Sequence, residues 1–111
     1  MMTIAPGAKV VVYDGTGTFQ SLFNAAINGG ATVISDSWAY CEDQTTLADV
    51  RSIDSIFQQA AASNISIFNG AGDSGSTCLD GSPNTVAVPA DSPNATAVGG
   101  SSLTEGALSL Y

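Results

Sequence analysis

Short apolar runs alternate with amphipathic segments along most of the chain, and this alternation constrains the fold more than any other feature. Three largely apolar, β-branched runs, at residues 9–13, 32–35 and 65–68, are typical of buried strands. Between them, apolar residues recur at helical spacing over residues 18–27 and 47–60. Because strands that are joined by helices through short connections run parallel, the sequence predicts an α/β fold, a parallel sheet flanked by helices.

Turn and capping residues indicate where these elements end. Thr18 is a typical N-cap for the first helix, and the glycine pair at residues 29–30 is expected to stop it. A long loop rich in Gly, Ser and Asp is predicted over residues 70–85, followed by short strands at 86–90 and 95–98. At 111 residues the chain is at most one domain or a piece of a larger one. The apolar residues at the end of the chain, 107–111, are typical of one more strand.

Composition excludes several kinds of partner. Ten Asp and Glu against two Lys and Arg give a formal net charge of -8, which disfavours nucleic acid and anionic membranes as partners. Charged residues make up 11% of the chain, below the roughly 25% of ordinary soluble domains. A surface of Ser, Thr, Asn and Gly changes little when carboxylates are protonated, so we expect a secreted, extracellular protein that meets acid.

No signal peptide is recognisable, and no segment approaches the ~20 apolar residues of a membrane span.

The chain has two cysteines, Cys41 and Cys78. An even number without Cys-x-x-Cys spacing favours one disulfide in an oxidising compartment, and two buried free thiols are the alternative. The predicted topology supports the disulfide. Each cysteine lies in a loop that leaves the same edge of the sheet, and neighbouring strands are only ~4.8 Å apart.

Residues 72–75 read Gly-Asp-Ser-Gly, which surrounds the nucleophilic serine of chymotrypsin-like proteases. In those enzymes a histidine takes the proton of the serine, and this chain has no histidine. Ser74 therefore cannot act in that way. The motif instead follows a predicted strand end, and Asp73 becomes the residue of interest.

Polar segments follow three predicted strands at the edge where ligands bind in open α/β sheets. These segments are residues 14–17, 35–38 and 70–73, and we expect them to converge on a site. The first resembles a dinucleotide-binding loop, but Gln20 stands where the third glycine is required, so a plain turn is favoured.

Carboxylates at and after the second predicted strand are candidate ligands for a cation. The acidic residues at and after the second strand lack the spacing of a calcium loop, so we interpret them as solvated carboxylates and expect no metal site. They are Asp36, Glu42, Asp43 and Asp49.

Trp38 and Asp73 are the candidate cleft residues. Trp38 is either a wall of a substrate cleft, with its indole N–H orienting a carboxylate, or a core or rim aromatic. Asp73 lies between glycines, which allow close approach of a ligand. A carboxyl group there that stays protonated at acid pH donates a hydrogen bond to a developing oxyanion; the alternative is a turn aspartate that caps its own backbone.

Taken together, five segments resemble the sedolisins, the serine-carboxyl peptidases. Residues 5–10 resemble the family's Ala-Pro-x-Ala strand, and residues 33–38 resemble its Val-x-Ser-x-Ser-Trp segment. Residues 68–75 match its Ser-Gly-Asp-x-Gly segment. Residues 88–93 and 97–100 match its Pro-Ala-Ser-Ser-Pro and Val-Gly-Gly-Thr segments in the same order.

The resemblance implies a subtilisin-like fold and hydrolysis of peptide bonds at acid pH by a Ser-Glu-Asp triad, with an aspartate in the oxyanion hole. It places Asp73 at the oxyanion position and Ser37, Trp38 and Gly72 at substrate-binding positions. The expected partner is a peptide or protein substrate of the intact parent.

The remaining machinery has no counterpart in residues 1–111, so we expect the chain to be the central fragment of the domain. In the family, the triad's Glu and Asp precede the Ala-Pro-x-Ala strand, the nucleophile lies far downstream, and the calcium site is C-terminal. We therefore expect no cofactor in this chain, no catalysis by the chain alone, and self-association of uncovered faces.

Two departures from the family pattern bear on substrates. Ala39 replaces the usual glycine, which could crowd the substrate strand. Ala87 replaces an acidic specificity residue of some relatives, which favours an apolar substrate side chain. A small secreted binding or structural α/β module, or a truncated reading frame without its own function, are the alternatives to a peptidase fragment.

Overall fold

Two α-helices and five short strands make up the part of the chain that the computed structural model describes, residues 3–102. Their order is α1 (Phe19–Asn28), β1 (Val33–Asp36), β2 (Tyr40–Cys41), a 3₁₀ turn (Glu42–Gln44), α2 (Leu47–Ala62), β3 (Ser66–Gly70), β4 (Ala87–Val88) and β5 (Thr96–Val98). The strand predicted over residues 107–111 lies outside the described residues.

A three-stranded parallel sheet is the centre of the fold, with strand order β1-β3-β5. Ile34 of β1 pairs with Ile67 of β3, and Phe68 of β3 pairs with Thr96 of β5. The connections place helix α2 between β1 and β3, as a parallel arrangement requires. The predicted α/β class is therefore confirmed, and the carboxyl ends of β1, β3 and β5 lie along one edge.

The helix boundaries follow from capping residues. The hydroxyl of Thr18 accepts a hydrogen bond from the amide of Ser21 at 3.3 Å, which satisfies one of the free N–H groups at the start of α1. Gly29 ends the helix, and Gly30 follows with φ +78°, a conformation that glycine adopts at little cost. Thr46 caps α2 in the same way, and that helix ends at Ser63.

The core lies between the two helices and one face of the sheet. Phe23 of α1 meets Phe57 of α2 edge to face, with ring centroids 4.7 Å apart. Ile53 of α2 and Ile67 of β3 are buried beside them. Burial of four such side chains contributes roughly 6–12 kcal/mol before conformational entropy is subtracted, so this layer is the main stabilising contact of the described fold.

One strand prediction was wrong, and a second was right only in part. Residues 9–13 form no strand, and Val11 and Val12 are exposed. A β-branched run favours extended backbone, but a strand also needs a hydrogen-bonded neighbour, and none pairs with this run within residues 3–102. The strand predicted at residues 86–90 is only two residues long, and it pairs antiparallel with β2 in a separate small sheet.

The disulfide between Cys41 and Cys78 is present. The Cα atoms are 5.9 Å apart across a sequence separation of 37 residues, and both side chains are buried. As predicted, the bond joins the segment after β1 to the loop after β3.

Candidate active-site cleft

A cleft of about 300 Å³ opens beyond the carboxyl ends of the sheet. Its walls are the loop after β3, the residues around β4 and one residue of β5. The lining residues are Ala71–Leu79, Asn84–Ala87, Ala90, Asp91 and Ala97. The cleft therefore lies where open α/β sheets place ligands.

Asp73 lies in the wall of this cleft, and its side chain is exposed. The preceding Gly72 has φ +105°, a backbone conformation that side chains other than glycine rarely adopt. The amide of Ala71 donates to the carbonyl of Val98 at 2.9 Å, which ties the base of the loop to β5. Asp73 thus lies two residues after one that is anchored to β5, while its own side chain is exposed.

The geometry does not support the turn-capping alternative for Asp73. The side-chain hydrogen bonds of this loop within residues 3–102 include those from Thr77 to the carbonyl of Ser74, from the amide of Ser82 to Asp80 and from Thr85 to the carbonyl of Pro83. None of the loop's hydrogen bonds in this range involves the Asp73 carboxyl. The aspartate that caps its own turn is Asp80, and the Asp73 side chain is left available to a ligand.

The disulfide anchors the far side of the same loop. Cys78 lines the cleft, its amide donates to the carbonyl of Ser82 at 3.1 Å, and Thr77 forms a bridge with Pro83. The loop is therefore fixed both at its start, by β5, and at its far turn, by Cys41.

Ser37 and Trp38 follow β1, next to the cleft loop. A Cβ atom on Gly70 would lie 3.8 Å from the Cα of Ser37, so the two segments are in contact. Trp38 is 78% exposed, which rules out the interpretation as a core aromatic within the described structure. Neither Ser37 nor Trp38 belongs to the lining of the cleft around Asp73. Of the predicted substrate-binding residues, only Gly72 lines that cleft with Asp73.

The predicted convergence of three polar segments is found for two of them. The ends of β1 and β3 are adjacent, with Asp36 the register partner of Asn69. Residues 14–17 instead lead into the N-cap of α1 at Thr18. Because residues 9–13 do not join the sheet, this turn is not held at its edge.

The interpretation of Asp36 as a solvated loop carboxylate was wrong. Asp36 is half-buried and accepts hydrogen bonds from the amide of Trp38 at 3.1 Å and from the side chain of Asn69 at 2.8 Å. Burial raises the pKa of Asp36, against the opposing effect of these hydrogen bonds. Asn69 occupies an inward position of β3 next to the inward residue Ile67, and it meets Asp36 only once the two strands are aligned.

Asp49 was also misread as a loop residue, since it lies in the first turn of α2. Its carboxylate accepts hydrogen bonds from the side chains of Tyr40, Thr45 and Gln20. The bond from Tyr40 is the first cause that lowers the pKa of Asp49. Asp49 therefore links α1, α2 and β2.

Asp91 is a further acidic residue of the cleft that the sequence did not single out. Burial is the main cause that raises its pKa, followed by the negative charges of Glu42 and Asp54.

The described residues contain one group of side chains close enough to share a metal ion, formed by Cys41, Cys78 and Asp80. Its two sulfur atoms are joined in the disulfide, so they offer no thiolate to a metal.

Comparisons with known proteins identify the family to which the chain belongs. The model of the subtilase family matches residues 1–111. Kumamolisin of Bacillus sp. (strain MN-32) is 35% identical over 109 residues, which cover 90% of this chain and 19% of that protein. The structure of Pseudomonas sedolisin, a serine-carboxyl proteinase complexed with two molecules of pseudo-iodotyrostatin, superimposes with a TM-score of 0.71 at 32% identity. It covers 81% of this chain and 27% of the sedolisin chain.

The chain thus spans about a fifth of the length of kumamolisin and about a quarter of the sedolisin chain. Within residues 3–102, no helix combines the length and the apolar character that crossing a membrane demands.

Proposed function

Because the chain belongs to the subtilase family, we propose that it supplies the oxyanion-hole aspartate and part of the substrate cleft of a serine-carboxyl peptidase domain that acts at acid pH. The similarity to kumamolisin and to Pseudomonas sedolisin supports the predicted resemblance to the sedolisins. One observation carries the proposal. Asp73 stands exposed in the wall of a cleft at the carboxyl edge of the parallel sheet, beside a glycine with positive φ.

The chemistry follows from what the Asp73 side chain can do. Attack on a peptide carbonyl moves negative charge onto its oxygen, and a hydrogen-bond donor placed at that oxygen lowers the barrier. A carboxyl group is a donor only in its protonated form, so Asp73 serves this role in acid. Because the side chain has no internal hydrogen bond within the described part, it need not break one to engage the substrate.

We propose that the chain alone does not hydrolyse peptides. No segment of the sequence matches the nucleophile motif of the resembled family, and the triad's Glu and Asp have no counterpart in residues 1–111 either. Oxyanion stabilisation and substrate binding without a nucleophile leave only a small part of the catalytic effect.

The partner in the intact protein is a peptide or protein substrate, and a net charge of -8 disfavours nucleic acid and anionic membranes. The disulfide supports export to an oxidising, extracellular compartment.

The test is an assay of peptide hydrolysis between about pH 3 and pH 7, run on the longer protein that contains these residues and on the isolated chain. We expect acid-favoured cleavage by the longer protein and none by the chain. Cleavage by the chain would contradict the proposal that it is inactive alone. A longer protein without peptidase activity would contradict the proposed function.

A further inference from the structure

Two polar side chains stand at adjacent strand ends where packing alone would favour apolar residues. Asp36 ends β1, and its register partner Asn69 is the penultimate residue of β3. Asn69 is fully buried and faces the same side of the sheet as Ile67, a core residue. A buried amide at such a position requires hydrogen-bond partners to offset its desolvation.

One carboxyl group connects the two strand ends to the segment that follows β1. The Nδ2 of Asn69 donates to Oδ2 of Asp36 at 2.8 Å, and the amide of Trp38 donates to Oδ1 of Asp36 at 3.1 Å. One oxygen therefore holds β3, and the other holds the segment that follows β1.

Asn69 is only half satisfied by this arrangement. Its Oδ1 atom is buried and has no hydrogen-bond partner within residues 3–102. An unsatisfied buried acceptor destabilises a fold, and an apolar side chain of similar shape would avoid that loss. The contact that Asn69 does make, to Asp36, is therefore the reason we assign to its presence.

We propose that Asp36 and Asn69 are positioning residues for the segment Ser37–Trp38, which lies beside the cleft. Asn69 fixes the Asp36 carboxyl, and Asp36 holds the Trp38 amide, so that the chain leaves β1 with Ser37 beside Gly70 of β3. The close approach of Ser37 to Gly70 defines where this segment rests. What the segment does for a substrate rests on the proposed function, whereas the way it is held does not.

The holding contact is tested without any catalytic assay, by amide hydrogen exchange on the 111-residue chain. The variants are Asp36→Ala, Asp36→Asn and Asn69→Ala, with Asn24→Ala, an exposed position on α1, as the control. The Ile67 amide serves as the reference for intact β3. We expect Asp36→Ala to lower the protection of the Trp38 amide about 10-fold or more, because a hydrogen bond to a charged acceptor is lost.

Asp36→Asn is expected to keep most of the Trp38 protection, since its side-chain oxygen still accepts from that amide. Unchanged Trp38 protection in Asp36→Ala, with Ile67 unchanged, would overturn the proposal. If Asp36→Ala also lowers the protection of the Ile67 amide, the Asn69→Ala variant decides. Loss of protection at the Trp38 amide alone in Asn69→Ala supports the proposal. Unchanged protection, or an equal loss at the Trp38 and Ile67 amides, overturns it.

The consequence for binding is tested in the longer protein. We expect Asp36→Ala to raise KM about 10-fold with kcat within about 2-fold, and Asp36→Asn to restore KM, because misplacement of a binding segment weakens uniform binding. An unchanged KM, or a loss in kcat alone, would overturn the positioning role. A wild-type protein without peptidase activity would overturn the proposed function and leave the exchange result standing.

Discussion

The hydroxyl of Ser92 donates a hydrogen bond to the carboxylate of Asp54 at 2.6 Å, across 38 positions of the sequence. The same oxygen of Asp54 accepts from the side chain of Asn94 at 2.9 Å. Ser92 is 8% exposed, so these bonds tie the turn between β4 and β5 to the middle of α2. The turn also leads directly from the cleft residue Asp91 to β5.

We expect Asp54→Ala to lower the free energy of unfolding by about 2–3 kcal/mol, because two hydrogen bonds to a charged acceptor are lost and Ser92 stays buried. Urea denaturation measures the change. Gln58→Ala, at an exposed position of the same helix, is the control and should change stability by less than about 0.5 kcal/mol. Equal stability of Asp54→Ala and the parent would show that the turn is held by packing alone.

The disulfide is expected to stabilise the chain mainly by restricting the unfolded state. For the 37-residue separation between Cys41 and Cys78, the chain-entropy estimate is about 3–4 kcal/mol as an upper figure. The paired variant Cys41→Ser/Cys78→Ser should lose a comparable amount in urea denaturation. Mass spectrometry of the untreated chain should show no free thiol, and detection of two thiols would refute the bond.

Two carboxyl groups should have opposite effects on stability as pH changes. The folded-state pKa of Asp91 is raised by burial above its ordinary value of 3.8. Its contribution is therefore fully present below pH 3.8 and is lost as the pH rises through the folded pKa. Asp91→Asn should consequently be more stable than the parent at pH 7 and equal to it in strong acid.

Asp49 is the control, because its contribution to stability should change with pH in the opposite direction. Hydrogen bonds from Tyr40 first, then Gln20 and Thr45, lower its folded-state pKa below 3.8. Its contribution is present above pH 3.8 and is lost as the pH falls through the folded pKa. Asp49→Asn should therefore be less stable than the parent at pH 7. Denaturation curves at several pH values that show the same sign for Asp49→Asn and Asp91→Asn would contradict these assignments.

The outer face of the sheet is expected to drive self-association. Val33 and Phe68 are 59% and 38% exposed, and they lie on the face opposite Ile34 and Ile67. Parallel sheets are normally covered on both faces. Light scattering should show oligomers that the Val33→Thr/Phe68→Thr variant reduces. A stable monomer of the parent chain would contradict this expectation.

The apolar residues of β4 do not add to this uncovered surface, because Ala87 and Val88 are both buried. Val86 is 49% exposed, but Val88 is fully buried, because its pairing with Tyr40 places it against the core.

The sequence predicted those elements whose signals are local. Both helices follow from apolar spacing, the first also from its threonine cap, and β1, β3 and β5 follow from their apolar runs between turn residues. The antiparallel pairing of β2 with β4 could not be read in this way. It depends on a contact between Tyr40 and Val88, which are distant in sequence, and no local propensity specifies such a partner.

The candidate site was predictable to a similar extent. Asp73 could be singled out because its glycines and its place after a strand are local features. The role of Asp36 could not, because it depends on alignment with Asn69 across two strands and on the burial of both side chains. A carboxylate read as part of a loop looks solvated until its neighbour in the sheet is known.

The most direct measurement is the pH–rate profile of the longer protein with Asp73, Asp73→Asn and Asp73→Ala on one peptide substrate. We expect Asp73→Ala to lower kcat about 100- to 1,000-fold at acid pH, as removal of an oxyanion donor does. Asp73→Asn should retain more activity and fade less as the pH rises, because its amide donates at every pH whereas the carboxyl group donates only when protonated. Near-parental turnover by Asp73→Ala would contradict the oxyanion role. Asp73 would then have only a structural role in its loop.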